Sequence, residues 1–221
     1  MGALSLSVWG VITLCLCSLS LSLWGDVRER SYIRGVGKTA ASLSFLLLFA
    51  LSPDVGSAPA GFSPLLGVAL SLSALGDVAL LGEGEAALLC GLSAFFLAHI
   101  AFLLAFSLGA YHFQVTLGVL VVSLGIGAWI YRWLCEGIEE RLRRPVIAYI
   151  IVISLMVSVA AGRAVDWEEG RWLLLGGAFA FWASDISVAR DRFMSAGFLN
   201  RLWGLPLYYL AQIMLTFTLW R

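Results

Sequence analysis

An aspartate or lysine at membrane depth costs about 2.5–3.5 kcal/mol on insertion scales, so it persists in an apolar stretch only when paired, solvated or used. Apart from residues in loops or at the ends of stretches, such as Arg132, three charged residues of this sequence fall inside long apolar stretches: Lys38, Asp77 and Asp185. Against lipid the two carboxylates alone would cost roughly 5–7 kcal/mol, comparable to the whole stability of many domains. A pair of carboxylates in a dry cavity is equipment for acid chemistry, because one can keep a proton while the other stays charged. Such a pair can protonate an acid-labile bond and stabilise the cation that forms. His99, Tyr149, Tyr208 and Gln212 are the uncharged polar candidates to stand near it, with Ser184 directly before Asp185.

Each of these residues also has a plainer role open to it. Lys38 and Asp77 can be a buried ion pair that fixes helix packing. Gly76 before Asp77 and Ser184 before Asp185 can serve close helix contact. His99, with Phe95 and Phe102 on its own helix face, can be a structural histidine bonded to a neighbouring carbonyl, and Tyr208 and Gln212, four apart, can be glue between helices. His112 follows Tyr111 in a polar break and reads as solvated. The only two histidines are 13 positions apart, no third ligand accompanies them, and no metal site or cofactor is expected. No GxSxG elbow is present. Cys15, Cys17, Cys90 and Cys135 form no CxxC pair and read as small apolar residues rather than as a disulfide framework.

The elements that must carry these residues are membrane helices. The chain has 221 residues, 61% hydrophobic and 13% charged, with a mean hydropathy of +0.93. Soluble domains are about 45–50% apolar and about 25% charged, so a soluble enzyme is excluded. The 14 basic and 14 acidic residues balance, which excludes a nucleic-acid binder, since that needs a basic excess. Apolar runs and their Gly, Pro and charged breaks predict eight spans, approximately Leu4–Trp24, Gly35–Leu51, Phe62–Leu81, Ala86–Leu108, Phe113–Leu134, Pro145–Gly162, Trp172–Ala189 and Leu202–Trp220. The expected fold is an all-α integral membrane bundle forming one polytopic domain over residues 1–221. No Lys or Arg precedes Arg28, so the first span reads as a retained helix rather than a cleaved signal.

With both termini on the non-cytoplasmic side, 11 of the 14 basic residues lie at cytoplasmic loops or span ends, leaving Arg163, Arg171 and Arg221 outside. Lys38 opens the second span, Tyr149 opens the sixth, and Asp77 and Asp185 fall near the ends of the third and seventh. All four then share the cytoplasmic half of the membrane, with His99 and Gln212 somewhat deeper, as expected of groups facing one cavity in a bundle. The same charges would suit a proton-coupled or small-molecule transporter, but no internal symmetry and no Gly/Pro-interrupted helix pair accompanies them.

Five segments carry a family resemblance: ALGDVALLG (Ala74 to Gly82), FFLAHIAF (Phe95 to Phe102), RPVIAYI (Arg144 to Ile150), GGAFAFWASDISVARDRF (Gly176 to Phe193) and YYLAQIMLT (Tyr208 to Thr216). In their GD, AH, AY, SD and YxxQ elements, and in the order of these, they resemble the YhhN-like lysoplasmalogenase family from about Lys38 to the last span. The resemblance implies an integral membrane hydrolase that cleaves the vinyl ether bond of a lysophospholipid-type substrate, releasing a fatty aldehyde and a glycerophospho-alcohol. Asp77 and Asp185 are then the catalytic candidates, in undecided order. Tyr149, Tyr208 and Gln212 would place water or the glycerol backbone, His99 would tune the acid, and Lys38 would meet the phosphate. Expected partners are the lysolipid and the surrounding membrane lipids, in a bacterial inner membrane or a eukaryotic endoplasmic reticulum.

Overall fold

Hydrocarbon offers backbone N–H and C=O groups no partner, so a chain this apolar must close its hydrogen bonds within each crossing segment. The computed structural model describes residues 6–53, 60–166 and 170–220, and within them the chain forms eight α-helices and no strand. These are α1 (Leu6–Val27), α2 (Ser31–Ala50), α3 (Phe62–Ala79), α4 (Gly84–Ser107), α5 (Phe113–Leu134), α6 (Glu140–Asp166), α7 (Arg171–Phe193) and α8 (Phe198–Phe217), with a single 3₁₀ turn at Cys135–Gly137. By length and composition α1 to α7 suffice to cross a membrane, and the chain is a multi-pass integral membrane protein.

All eight expected helices are present, and α5 has the expected ends. The helices α2, α6, α7 and α8 start or finish several residues further into the charged segments than their apolar runs do. Arg, Glu and Leu are good helix formers, so the helix outlasts the apolar stretch that announces it. The expected start of the first span at Leu4 and the outer Arg221 lie outside the described residues. Arg163 is a correction. Expected in an outer loop, it stands on α6, is 7% exposed, and its Nη1 donates to the carbonyl of Phe106 at 3.3 Å. Phe106 is in the last turn of α4, where carbonyls lack helical partners, and the guanidinium also lies 5.4 Å from the ring centre of Phe62.

Successive helices pair as antiparallel hairpins, α1 on α2, α3 on α4, α5 on α6 and α7 on α8. Further packing of α2 on α3, α4 on α6, α6 on α7, and α8 on both α1 and α2 closes a ring of seven helices, with α5 outside it against α6. The bundle therefore has two ends: one where α1, α3, α5 and α7 finish and α2, α4, α6 and α8 begin, and an opposite one. The opposite half is filled by Phe45, Phe62, Leu66, Leu70, Phe102, Phe106 and Phe181, none of them accessible to solvent. The lipid-facing surface carries exposed Leu, Val and six of the nine tryptophans: Trp9, Trp24, Trp129, Trp133, Trp172 and Trp203. The cysteines are all free.

Small residues set how closely the hairpins approach. A Cβ on Gly37 of α2 would lie 2.5 Å from the backbone nitrogen of Ser22 and 2.7 Å from the carbonyl oxygen of Ser18, both on α1. Backbone cannot yield as a side chain can, so Gly37→Val forces α1 and α2 apart. We expect it to lower stability by about 1–3 kcal/mol or more, read as a reduced thermal midpoint in detergent. Gly10→Val on the open face of α1, where nothing lies within 4 Å, should leave the midpoint in place.

Candidate active site

The last turn of α3 brings Asp77 into the ring, where its side chain is only 2% exposed. Lys38 of α2 places its Nζ 3.1 Å from Asp77 Oδ1. One helical turn further along α2, the hydroxyl of Ser42 donates to Asp77 Oδ2 at 2.6 Å. The Tyr209 hydroxyl, from α8, stands 3.2 Å from Ser42 Oγ and 3.5 Å from Asp77 Oδ2, and donates to the Lys38 carbonyl at 3.0 Å. Both oxygens of Asp77 thus accept from α2, Oδ1 from Lys38 and Oδ2 from Ser42, with the Tyr209 hydroxyl of α8 beside them. Gly76 has the packing role open to it: a Cβ there would lie 2.8 Å from the Phe95 ring of α4.

Asp185 of α7 is held differently. The Tyr149 hydroxyl of α6 donates to its Oδ2 at 2.7 Å, and His99 Nε2 of α4 lies 3.5 Å from the same oxygen. The other ring nitrogen of His99, Nδ1, lies 2.7 Å from the carbonyl oxygen of Phe95, which can only accept. Nδ1 therefore carries a hydrogen, and Nε2 turns toward the carboxyl. An unprotonated nitrogen facing a charged carboxylate would set lone pair against lone pair, so this contact favours a proton on one of the two groups, although at 3.5 Å it has no hydrogen-bond geometry. His99 is 1% exposed and boxed by aromatic rings, with the Phe181 and Tyr149 ring centres at 4.4 and 5.3 Å.

Asp77 and Asp185 line one cavity of about 380 Å³, toward the low end of the roughly 300–1,000 Å³ usual for small-molecule sites. Lys38, Phe95, Ser184, Leu205 and Tyr208 line it as well. Ser184 donates to the carbonyl of Phe181 at 2.7 Å, which fixes the turn of α7 that carries Asp185. The Tyr208 ring packs within 5.7 Å of Phe95, Phe181 and Tyr209, and its hydroxyl makes no hydrogen bond of good geometry among the described residues. His99 and Tyr149 sit behind Asp185 rather than on the cavity wall. Gln212 is fully buried, one turn beyond Tyr208 on α8, and is not among the residues lining the cavity. Among the described residues no group of three or more His, Cys, Asp or Glu is placed to hold a metal ion.

Several members of the site carry little signal in the sequence. Ser42 and Tyr209 bind Asp77 directly, and their only cue is position, one turn from Lys38 and next to Tyr208. Asp26, expected in a loop, ends α1 with a side chain 2% exposed. It receives Arg34 at 3.5 Å and Arg201 at 3.1 Å, and Arg201 also reaches Asp191 at 3.6 Å. Asp26, Arg34, Asp191, Arg192 and Arg201 all belong to the cavity lining, at the end of the bundle.

The chain is 30% identical to lysoplasmalogenase TMEM86B of Rattus norvegicus over 203 residues, which is 90% of this chain and 78% of that protein. It is also 30% identical to lysoplasmalogenase TMEM86B of Mus musculus, over 90% of this chain and 80% of the relative. The Sus scrofa protein of the same name is 28% identical over 90% and 81% of the two chains. No solved structure matches. The family model for YhhN matches residues 34–219, from the N-terminal part of α2 to just beyond α8, and so takes in both aspartates with their partners. The chain belongs to the YhhN family.

Proposed function

We propose that this protein hydrolyses the vinyl ether bond of lysoplasmalogens, with Asp185 as proton donor and Asp77 as the charged partner. The observation that carries the reading is that a buried carboxylate, Asp77, and a partly buried one, Asp185, face one cavity with opposite hydrogen-bond surroundings. Asp77 meets an ammonium and a donating Ser42 hydroxyl, with the Tyr209 hydroxyl 3.5 Å away, surroundings suited to a carboxylate. Asp185 meets a hydroxyl and the Nε2 of a histidine whose Nδ1 is already a donor, an arrangement suited to keeping a proton. The relatives named lysoplasmalogenase supply the substrate class.

In the reaction so read, the proton held by Asp185 and His99 adds to the β-carbon of the vinyl ether, and the C=C electrons form that C–H bond. The α-carbon becomes an oxocarbenium ion, whose charge Asp77 stabilises, in the logic of a glycosidase carboxylate pair. Water bonds to the α-carbon and gives its proton to the Asp185 and His99 pair, which restores the acid. The resulting hemiacetal expels the glycerol oxygen, which gains a proton as the hemiacetal hydroxyl loses one, giving aldehyde and glycerophospho-alcohol. Tyr208, on the cavity wall, is placed to orient the water or the glycerol, while Tyr149 and Ser184 hold Asp185 in position.

The polar cavity takes the head group and the ether, and the alkenyl chain extends toward lipid. We place the site end of the bundle in the cytoplasmic leaflet, with eight crossings and both chain ends on the opposite side, because basic residues concentrate at the site end. A transporter needs a path to both faces. The phenylalanine-filled opposite half of the bundle argues against one.

The purified protein in detergent should release fatty aldehyde from a lysoplasmalogen and nothing from its ester-linked lysolipid; cleavage of both, or of neither, overturns the reading. Asp77→Asn and Asp185→Asn should each cut aldehyde release by roughly 100-fold or more while the thermal midpoint shows a folded protein. Near-normal turnover in either variant refutes that carboxylate's role. His99→Asn should also slow the reaction, and the pair His99→Asn with Asp185→Asn should be no slower than Asp185→Asn alone, because the two act as one acid. Additive losses would separate them.

A further inference from the structure

The cavity continues from the aspartates to the end of the bundle, where its lining changes character. Arg34 of α2, Arg192 of α7 and Arg201 of α8 all line it there, and Arg34 and Arg201 converge on Asp26. Asp26 is buried, and Arg34 and Arg201, each about a third exposed, both turn to it. The nearby Asp191 is occupied largely by its own loop, accepting from the Gly197 backbone N–H at 2.8 Å and from Asn200 at 3.2 Å. Arg192 is exposed and has no carboxylate within ion-pair distance among the described residues.

This leaves three guanidiniums against two carboxylates, with most of their donors unspent. Each guanidinium offers five N–H groups. Among the described residues Arg34 donates one hydrogen bond, to Asp26, and the contacts of Arg201 are ion pairs without hydrogen-bond geometry. Arginine forks match the spacing of phosphate oxygens, and Asp26 fixes two of the forks in advance, so little side-chain freedom is lost on binding. Lys38, the other cation on the wall, is already 3.1 Å from Asp77 and stands at the chemistry rather than at the mouth. Glu83, at the α3–α4 turn, also lines the cavity without an ion-pair partner among the described residues, and its charge repels an anion.

Building on the proposed lysoplasmalogenase reading, we propose that Arg34 and Arg201, preset by Asp26, together with Arg192 form the seat of the substrate's phosphodiester. The seat fixes how far the lysolipid enters and so brings its vinyl ether, on the opposite side of the phosphate from the head-group alcohol, to Asp77 and Asp185. Asp26 is a positioning residue in this arrangement and touches no substrate atom.

The test compares two substrates that share the vinyl ether, a lysoplasmalogen and the corresponding 1-alkenylglycerol, which lacks the phosphate. Arg192→Gln removes an exposed, unpaired side chain and leaves the fold intact; Arg201→Gln also opens the contact with Asp26, and Arg201→Lys keeps the charge but loses the fork. For the lysoplasmalogen KM should rise roughly 10- to 100-fold in Arg201→Gln, and in the same direction in Arg192→Gln, with a much smaller change in kcat. The loss in kcat/KM should be at least tenfold greater for the lysoplasmalogen than for the alkenylglycerol. Equal losses on the two substrates, or none in Arg192→Gln and Arg201→Gln, overturn the phosphate seat while leaving the hydrolase reading standing. Absence of aldehyde from both substrates with the unaltered protein defeats the hydrolase reading instead.

Binding gives a second readout that needs no turnover. A saturated alkyl-ether lysophospholipid should raise the thermal midpoint of the unaltered protein and of Asp185→Asn, and raise it less in Arg192→Gln. Inorganic phosphate at the same concentration should leave the midpoint in place. Equal stabilisation by inorganic phosphate would make this a free-anion site and overturn its assignment to the lipid.

Discussion

The charge on Asp77 is the constraint around which the rest of the bundle is arranged. A carboxylate 2% exposed inside a membrane protein cannot be left to lipid, and the groups that satisfy it come from far apart in the chain: Lys38 and Ser42 of α2 and Tyr209 of α8. These bonds join α2, α3 and α8, and the ring closes where α8 packs on α1 and α2. Removing any one partner would expose a charge or a hydroxyl to a dry interior, so the polar cluster specifies which helices are neighbours in a medium where apolar burial discriminates poorly between them.

Asp185 shows what the same medium permits when the partners differ. It has no lysine within ion-pair distance among the described residues; its neighbours are Tyr149 and His99. The His99 ring is itself pinned by the Phe95 carbonyl, and Phe95 also packs on Tyr208 and against Gly76, the residue before Asp77. One phenylalanine therefore links the surroundings of both carboxylates, its backbone serving one side and its ring the other. The two acids share a cavity but not a hydrogen-bond environment, and on the proposed reading this asymmetry is what separates a proton donor from a cation stabiliser.

The charges that lie deep in apolar runs were legible in the sequence, because Lys38, Asp77 and Asp185 must each be paired, solvated or used there, and helical direction was enough to place them at one end of the bundle. His99 and Tyr149 were legible as companions, though not as the two groups that close on Asp185. Charges near helix ends were not legible. Asp26 and Arg163 fall where apolar runs stop and charged residues are ordinary, yet the helices continue and tertiary neighbours bury both side chains. Ser42 and Tyr209 were invisible for a related reason: serine and tyrosine are common in membrane helices, and only the fold says which of them meets a carboxylate. Gln212 is the reverse case, a polar residue whose depth along α8 carries it past the cavity into the packed half.

The helix α8 joins these points. It is the one helix that falls short of the apolarity of a membrane span, although it packs against α7, α2 and α1 within the ring. Its polar and small residues lie on the buried side at four-residue intervals: Asn200, Gly204, Tyr208, Gln212 and Thr216, with Tyr209 beside them. A spacing of four advances slightly more than one turn, so these side chains form a single stripe facing inward. Asn200 holds Asp191 at the mouth, Gly204 admits Ser187 of α7, Tyr208 faces the cavity and Tyr209 reaches Asp77. Low apolarity in this helix therefore does not argue against burial in the bundle. It is the consequence of one helix supplying groups to every level of the polar site, while its outward face, with Leu199, Leu202, Trp203 and Leu210, stays apolar and exposed.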